Sequence, residues 1–449
     1  MKRLTLYIFL FIATLFFNCV FAQTEDMAKH WTLAECLQYA AVHNIQIATL
    51  RLNEQSAAQN LIAAKGQKIP SLSASVGNTF TNSNNETGTN GGLVNQLTVG
   101  GTYAVSSSVV LWNDNLINNN IRQNELLQES AGLSVQESQN NITLSITQAY
   151  LNILLSKENE KYAIDLVNTT TSIVKQGQLL YDAGSIAKVA LLQLQAQLAS
   201  DKYLLVETRN AIRQNILVLK QLLQLPPGTA FDISIPASIE AAPVLPSLQA
   251  VQQAALNNFP EIKIGKLGID IAALDIARAK AGFKPVLDAN AALGTSSHNV
   301  LTNNVAPKSA YFTQTGNNFY QSLWLTLSIP IFSNRINKTN VAKTNIAYKQ
   351  ANLNYENSQL ILSQQVEQAY LDAVNAQQAY DAANEQLITA TESYRIVNEE
   401  FKLGGLNIYD LLQQRNQYVQ AIQAFTQAKY TSVLQQKIYE FYMGKPVTL

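Results

Sequence analysis

The residues of this chain that could do chemistry are few and scattered. His30, His43 and His298 stand far apart, and no nucleophile–histidine–acid grouping or phosphate-binding glycine loop accompanies them. Removal of a leader at Ala22 would leave one cysteine, Cys36, and no cysteine or histidine spacing suits a transition metal. No enzyme activity, cofactor or metal is therefore expected. One carboxylate is better placed. Asp410 follows the turn Gly404-Gly405-Leu406, at the start of a predicted helix. Alone it is a solvated acid favoured by the helix dipole. Repeated around a symmetry axis at a narrow opening, it becomes a ring of negative charge that favours cations and repels anions. The matching position in the other half of the chain is Ala190, and Gln413 stands where a second acid would extend the ring.

The elements that position Asp410 are written twice. Gln148-Ala149-Tyr150-Leu151 recurs 220 positions later as Gln368-Ala369-Tyr370-Leu371. The same offset relates Trp112 to Phe332, Tyr181 to Phe401, Gly184 to Gly404 and Gln197 to Gln417. Upstream the offset is 215, relating Pro70 to Pro285, Leu72 to Leu287 and Ala64-Lys65 to Ala279-Lys280. We therefore expect a first repeat over 23–225, a proline-rich linker over 226–246 and a second repeat over 247–449. A period this long is not that of a solenoid.

Each repeat reads helix, strand, strand, helix, helix. Leu33 to Lys65 is a predicted helix stopped by Gly66. Alternation predicts strands over about 70–80 and 97–111, separated by a polar loop from Thr81 to Asn95. The second repeat has strands over about 285–295 and 319–332, with a loop from Ser296 to Asn318. Helical hairpins follow over about 113–225 and 334–443. Asn113 to Asp182 contains no proline, and one helix of about 70 residues reaches on the order of 100 Å. Both hairpins reverse at a glycine turn, Gly184-Ser185-Ile186 and Gly404-Gly405-Leu406, with Tyr181 and Phe401 placed to pack beside them. Val366, Ala369, Ala373, Ala376, Tyr380, Ala383, Leu387, Ala390, Tyr394, Val397 and Phe401 keep an unbroken 3,4 spacing, which implies left-handed coiling against a partner. Helices alone would fit a secreted structural or adhesin coiled coil without a pore.

Charge and membrane signals narrow the choice. The 31 basic and 31 acidic residues balance, so a nucleic-acid partner is not expected. Lys2 and Arg3, the apolar run Leu4 to Phe17, and Val20-Phe21-Ala22 read as a signal peptide over 1–22; lipid attachment at Cys19 is the alternative, although Phe16-Phe17-Asn18 matches it poorly. No later run is long and apolar enough for a transmembrane helix, so contact with a bilayer must come from strands. Four amphipathic strands cannot close a barrel alone, but twelve from three copies can. Tyr103, Trp112, Trp324 and Phe332, read as near strand ends, suit a membrane interface or core packing.

These features together resemble the TolC-type outer-membrane efflux family. The resemblance runs from about Trp31 to Gly444. It rests on the duplication, Ala-Leu-Asn-Asn-Phe-Pro-Glu-Ile at 255–262, the mid-helix Ala-Tyr-Leu, and a glycine turn followed by Asp410-Leu411-Leu412. Leu222-Leu223 and Met443-Gly444 close the two repeats. The family implies a mixed α and β membrane protein: a homotrimer whose twelve-stranded β-barrel, four strands per chain, is continued by a long α-helical coiled-coil barrel. It implies an exit duct of a tripartite efflux pump or type I secretion system in the Gram-negative outer membrane, contacting outer-membrane lipid. An inner-membrane transporter would drive it, and a periplasmic adaptor would dock at Gly184, Ser185, Ile186, Gly404, Gly405 and Leu406. The family also places acids such as Asp410 at the periplasmic constriction. Nothing in the sequence marks a cargo.

Overall fold

The computed structural model describes residues 30–86, 93–236, 245–302 and 311–448. The expected signal peptide, with Cys19, and most of the second part of the 226–246 linker lie outside the described residues. The fold is mostly helical with an antiparallel sheet. No helix among the described residues is long and apolar enough to cross a membrane.

The chain opens with β1 (His30–Trp31), α1 (Leu33–His43) and α2 (Ile45–Gly66). One helix was expected from Leu33 to Lys65; it is two, broken at Asn44. Asn44 is extended, with φ −66° and ψ 123°. Its Oδ1 accepts from the amides of Gln46 (2.9 Å) and Ile47 (3.3 Å), and its Nδ2 donates to the Leu222 carbonyl at 3.3 Å. The side chain thus serves the first free amides of the second helix.

The strands β2 (Ser71–Glu86) and β3 (Leu93–Trp112) follow, then α3 (Leu116–Asp182), α4 (Lys188–Leu223) and β4 (Asp232–Ile233), which pairs in parallel with β1. The next pair is α5 (Leu248–Asn258) and α6 (Pro260–Ala281). Here the break falls at Phe259, because Pro260 disfavours helical backbone before it and has no amide to satisfy at the first helical position. β5 (Val286–Val300), α7 (Tyr311–Asn317), β6 (Tyr320–Ser328), α8 (Ile336–Lys402) and α9 (Ile408–Tyr442) complete the chain.

Two compact units share these elements. One comprises Leu50–Ser134 and Glu261–Ser358 and contains the sheet, ordered β2-β3-β5-β6 and antiparallel throughout. The register sets two faces. Ala74 lies opposite Val105, Val105 opposite Leu293, and Ala291 opposite Leu323, so one face is largely apolar and exposed at Leu72, Val76, Phe80, Leu323 and Leu325. The other carries Ser71, Ser73, Ser106, Ser108, Asn290 and Thr326. Ser71 and Ser73 share hydroxyl hydrogen bonds with Ser108 and Ser106 at 3.0 and 2.9 Å.

The strand ends differ from expectation. The polar tract read as a loop from Thr81 to Asn95 is largely strand. Thr81 to Glu86 continues β2, and Asn95 Nδ2 donates to Asn84 Oδ1 across the ladder at 3.1 Å. Small amides and hydroxyls pair across strands without an apolar face, so composition alone misread them. β5 likewise continues to Val300, inside the expected second loop, which also contains α7. β6 is shorter than the expected 319–332: it stops at Ser328, before Pro330 removes an amide from the ladder. Above Gly294, β5 has no strand on its β6 side among the described residues, and α7 and its following residue serve that edge. Asn318 Nδ2 donates to the Ser296 carbonyl at 2.7 Å, and Gln314 Oε1 accepts from the His298 amide at 2.8 Å.

The other unit comprises the residues up to Thr49, Val135–Pro260 and Gln359 onward. Leu33, Cys36 and Ala40 of α1 pack with Ile146, Tyr150 and Ile153 of α3, Leu219 and Leu223 of α4, and Val433 of α9. Burial, reinforced by the Glu35 charge, pushes the Cys36 thiol up to about 12, so it acts as a small apolar side chain. Tyr150, from the repeated Ala-Tyr-Leu, donates to the carbonyls of Ser234 (2.6 Å) and Trp31 (3.2 Å). On α8 the heptad positions Val366, Ala369, Ala373, Ala376, Ala383 and Phe401 are buried. Tyr370, Tyr380 and Tyr394 meet Tyr439, Phe425 and Tyr418 of α9 at ring-centroid distances of 5.5, 5.6 and 5.1 Å.

Gly294 tests the sheet's packing. A Cβ there would fall 2.6 Å from Tyr320 Oη and 2.9 Å from the Tyr103 carbonyl oxygen, whereas at Gly100 the nearest atom is 3.7 Å away. Gly294→Ala should therefore cost about 1–3 kcal/mol and lower the thermal midpoint in detergent, with Gly100→Ala as the milder control.

Candidate functional site

The two glycine turns close by the same hydrogen bonds. After α3, the Gly184 amide donates to the Tyr181 carbonyl (2.9 Å) and the Ser185 amide to Leu180 (2.8 Å). After α8, Gly404 donates to Phe401 (3.0 Å) and Gly405 to Glu400 (3.0 Å). This paired closure needs a left-handed residue, and Gly184 and Gly404 have φ of 74° and 76°. A Cβ at either would meet nothing within 4 Å, so backbone conformation rather than space selects glycine.

The returning helices start differently. Ala187 precedes α4 without a side-chain cap. Asn407 caps α9: its Oδ1 accepts from the Asp410 amide at 3.0 Å, and its Nδ2 donates to Asp410 Oδ2 at 2.6 Å. The carboxylate is thus held in the first turn, where the helix dipole favours it. Ala190, its counterpart, packs with Leu406 and Leu412 around a core of Ile173, Leu194, Phe401, Ile408 and Leu411. Phe401 is 3% exposed and Tyr181 36%, so only the former is interior packing in the single chain. Ile186 is half-buried, while Gly184, Ser185, Gly404 and Gly405 are exposed. Leu179, Val189, Leu403 and Tyr409 also face outward.

The four aromatic candidates do not form one set. Trp112 ends β3 and, through a register shift after Val110, lies opposite Leu287 on the apolar face. Tyr103 shares that face but sits in mid-strand, between Val76 and Thr295. Trp324 lies in mid-β6 opposite Asn290, on the polar face. Phe332 is beyond β6 altogether. Reading all four as near strand ends is therefore corrected: strand lengths were misjudged where polar tracts extend strands and Pro330 shortens one.

Sequence reading missed a buried ion pair. Arg415 of α9 and Asp201 of α4 are 1% and 3% exposed, and Arg415 Nη2 donates to Asp201 Oδ2. Thr170 of α3 donates to the same oxygen at 2.6 Å, and Gln197 Nε2 donates to Asp201 Oδ1 at 3.0 Å. Three helices are thereby joined through one carboxylate. Burial pushes the nearby Tyr394 phenol upward, against the pull of Arg415. The available signal was a charge at a seam position: Asp201 continues the face of Leu191 and Leu194, and Arg415 that of Ile408 and Leu411.

The histidines have separate local settings. His30 Nδ1 lies 3.7 Å from Asp232, His43 stacks on Tyr39, and His298 is on β5. Among the described residues no group of three histidine, cysteine or acidic side chains could hold a metal.

A fold of paired long helices and a four-stranded amphipathic sheet defines a class, and the comparisons place the chain within it. A family profile described as outer membrane efflux protein matches residues 36–224 and 251–437; the chain belongs to that family. No curated protein matches it significantly. Among solved structures, CusC is 16% identical with a TM-score of 0.78, covering 92% of each chain. The CmeC outer membrane channel of Campylobacter jejuni is 17% identical with a TM-score of 0.75, over 92% of this chain and 86% of that one. The open MtrE outer membrane channel of Neisseria gonorrhoeae is 17% identical with a TM-score of 0.72, over 92% and 88%. These likenesses show a shared fold. The chain is an outer-membrane efflux duct of a Gram-negative bacterium.

Asp201→Ala would strand a buried guanidinium and should destabilise the protein by about 3–5 kcal/mol. Asp201→Leu combined with Arg415→Met should recover most of that loss. Denaturant unfolding of Asp201→Leu, Arg415→Met and the double variant gives the coupling energy directly.

Proposed function

We propose that three copies close their sheets into a twelve-stranded barrel, continued by their long helices as a tunnel, and that cargo passes through unchanged. One observation carries this reading: the sheet is open at β2 and β6, yet amphipathic across its faces. In hydrocarbon each unpaired backbone group costs several kcal/mol. Because β2, β3, β5 and β6 alternate in direction, β6 of one copy meets β2 of the next in antiparallel sense. The apolar face then meets lipid and the hydroxyl-rich face lines the lumen. Trp112 suits the interface level.

The two-repeat organisation, 23–225 and 247–449 around the 226–246 linker, has similar support. α1 and α5, and α2 and α6, match in length at the 215 offset, as do α3 and α8 at 220. Left-handed residues recur at the latter offset: Asp114 with Asn334, Asn115 with Arg335, Gly184 with Gly404, and Gln224 with Gly444.

The turns Gly184-Ser185-Ile186 and Gly404-Gly405-Leu406, exposed at their glycines, receive a periplasmic adaptor, which couples the duct to an inner-membrane transporter. The outward Leu403 and Tyr409 offer apolar contact there, and Tyr181 braces a neighbouring hairpin. Asp410, held by Asn407, forms the gate ring.

An oligomer test comes first. Detergent-extracted protein should migrate as a heat-modifiable trimer on unheated gels; a soluble rod that melts in urea would instead leave a coiled-coil spacer. Asp410→Ala should then reduce cation preference in planar-bilayer recordings, and unchanged ion selectivity would remove Asp410 from the gate.

A further inference from the structure

The polar face of the sheet is almost free of charge. Its residues on β2, β3 and β6 are hydroxyls, amides and small or uncharged side chains, with no lysine or arginine. On β5 the same face carries one carboxylate, Asp288, opposite Val110 of β3 and Thr326 of β6. His298 lies on that face ten residues further along the strand, and the phenol of Tyr320 of β6 lies between them, opposite Gly294. Asp288 is half-buried and has no hydrogen-bond or ion-pair partner among the described residues. It borders an open hollow lined by Gln67, Ser71, Ser108, Asn113, Asn290 and Thr326, which again contains no cation. A carboxylate with a cationic partner would have its charge neutralised on this wall. This one is presented to the hollow instead.

We propose that Asp288 is a second determinant of cargo charge. The inference rests on the trimeric barrel above. Closure of three copies sets three Asp288 carboxylates around the lumen wall where β5 begins, giving a band of fixed negative charge on an otherwise neutral surface. Such a band raises the local concentration of cations and lowers that of anions. It selects for cationic cargo at a level separate from Asp410.

The two levels have different salt signatures. A twelve-stranded lumen is wide, so at physiological ionic strength, with a Debye length of about 8 Å, the three charges are mostly screened from its centre. At about 0.01 M the Debye length is about 30 Å and their fields overlap. The Asp288 contribution therefore appears in dilute salt and fades in concentrated salt, whereas a narrow ring at the tip keeps more of its effect.

The test is reversal-potential measurement on the full-length protein in planar bilayers, across KCl gradients with the dilute side at about 10 mM and again at about 1 M. Wild type, Asp288→Asn, Asp288→Lys and Asp410→Ala are compared. Asp288→Asn should lower the potassium-to-chloride permeability ratio about twofold or more in dilute salt and hardly at all in concentrated salt. Asp288→Lys should move the ratio further toward chloride. Wild-type conductance at high salt and trimer migration on unheated gels show that each variant is assembled. Unchanged dilute-salt selectivity in both assembled Asp288 variants overturns this proposal and leaves the duct reading standing. Failure of the wild type to form any conducting trimer overturns both.

Discussion

A peptide group in hydrocarbon has no water to fall back on, and that constraint governs this chain. Within the sheet it is met strand by strand, through ladders joining β2 to β3, β3 to β5 and β5 to β6. At the outer sides of β2 and β6 a single chain cannot meet it. The amphipathic faces sharpen the problem, since Leu72, Val76, Phe80 and Leu323 suit lipid while Ser71, Ser73 and Ser108 do not. The proposed closure among identical copies would meet both demands at once. In the proposed trimer, assembly is a condition of membrane residence rather than an embellishment of a finished monomer.

The helical unit solves a different problem. Long helices with polar surfaces have little apolar area to hold them together, so packing relies on a narrow seam. On α8 that seam is rich in alanine, which brings the axes close, with aromatic pairs to α9 spaced along it. Toward the turns the seam admits a charge, and Arg415, Asp201 and Thr170 join three helices in a geometry that sliding would break. A slide by one turn would separate a guanidinium from its carboxylate in a dry interior, a far larger cost than shifting one alanine past another. Polar chemistry here sets register more than it adds stability.

Much of this was legible in the sequence, and the failures have identifiable causes. Period decided the long helices and the alternating strands, because both patterns persist over many residues. The glycine turns were legible because left-handed backbone leaves a residue-specific mark at Gly184 and Gly404. Strand ends were not, since Asn84 and Asn95 look like loop residues until they face each other. The break at Asn44 was hidden because an asparagine can cap a helix or sit quietly within one; only its bonds to Gln46 and Ile47 decide. The Arg415–Asp201 pair was invisible as a pair, since nothing local links residues on different helices. Asp410 stands out because it follows a turn, whereas Asp288 carries no local signal, and only the register shows how neutral its face is.

The handover at Gly294 has a bearing on how this molecule can change over generations. Up to that point β5 is tied to β6 by backbone; beyond it, the amides of Gln314 and Asn318 serve the same edge. A backbone ladder transmits every inserted residue as a flip of faces. A staple of side chains does not, because its anchor points can be lost or regained one at a time. The stretch between Val300 and Tyr320 is consequently free to lengthen, shorten or exchange its surface without re-registering the wall beneath it. Substitutions on α7 can accumulate there while the pairing of β5 with β3 and β6 is kept.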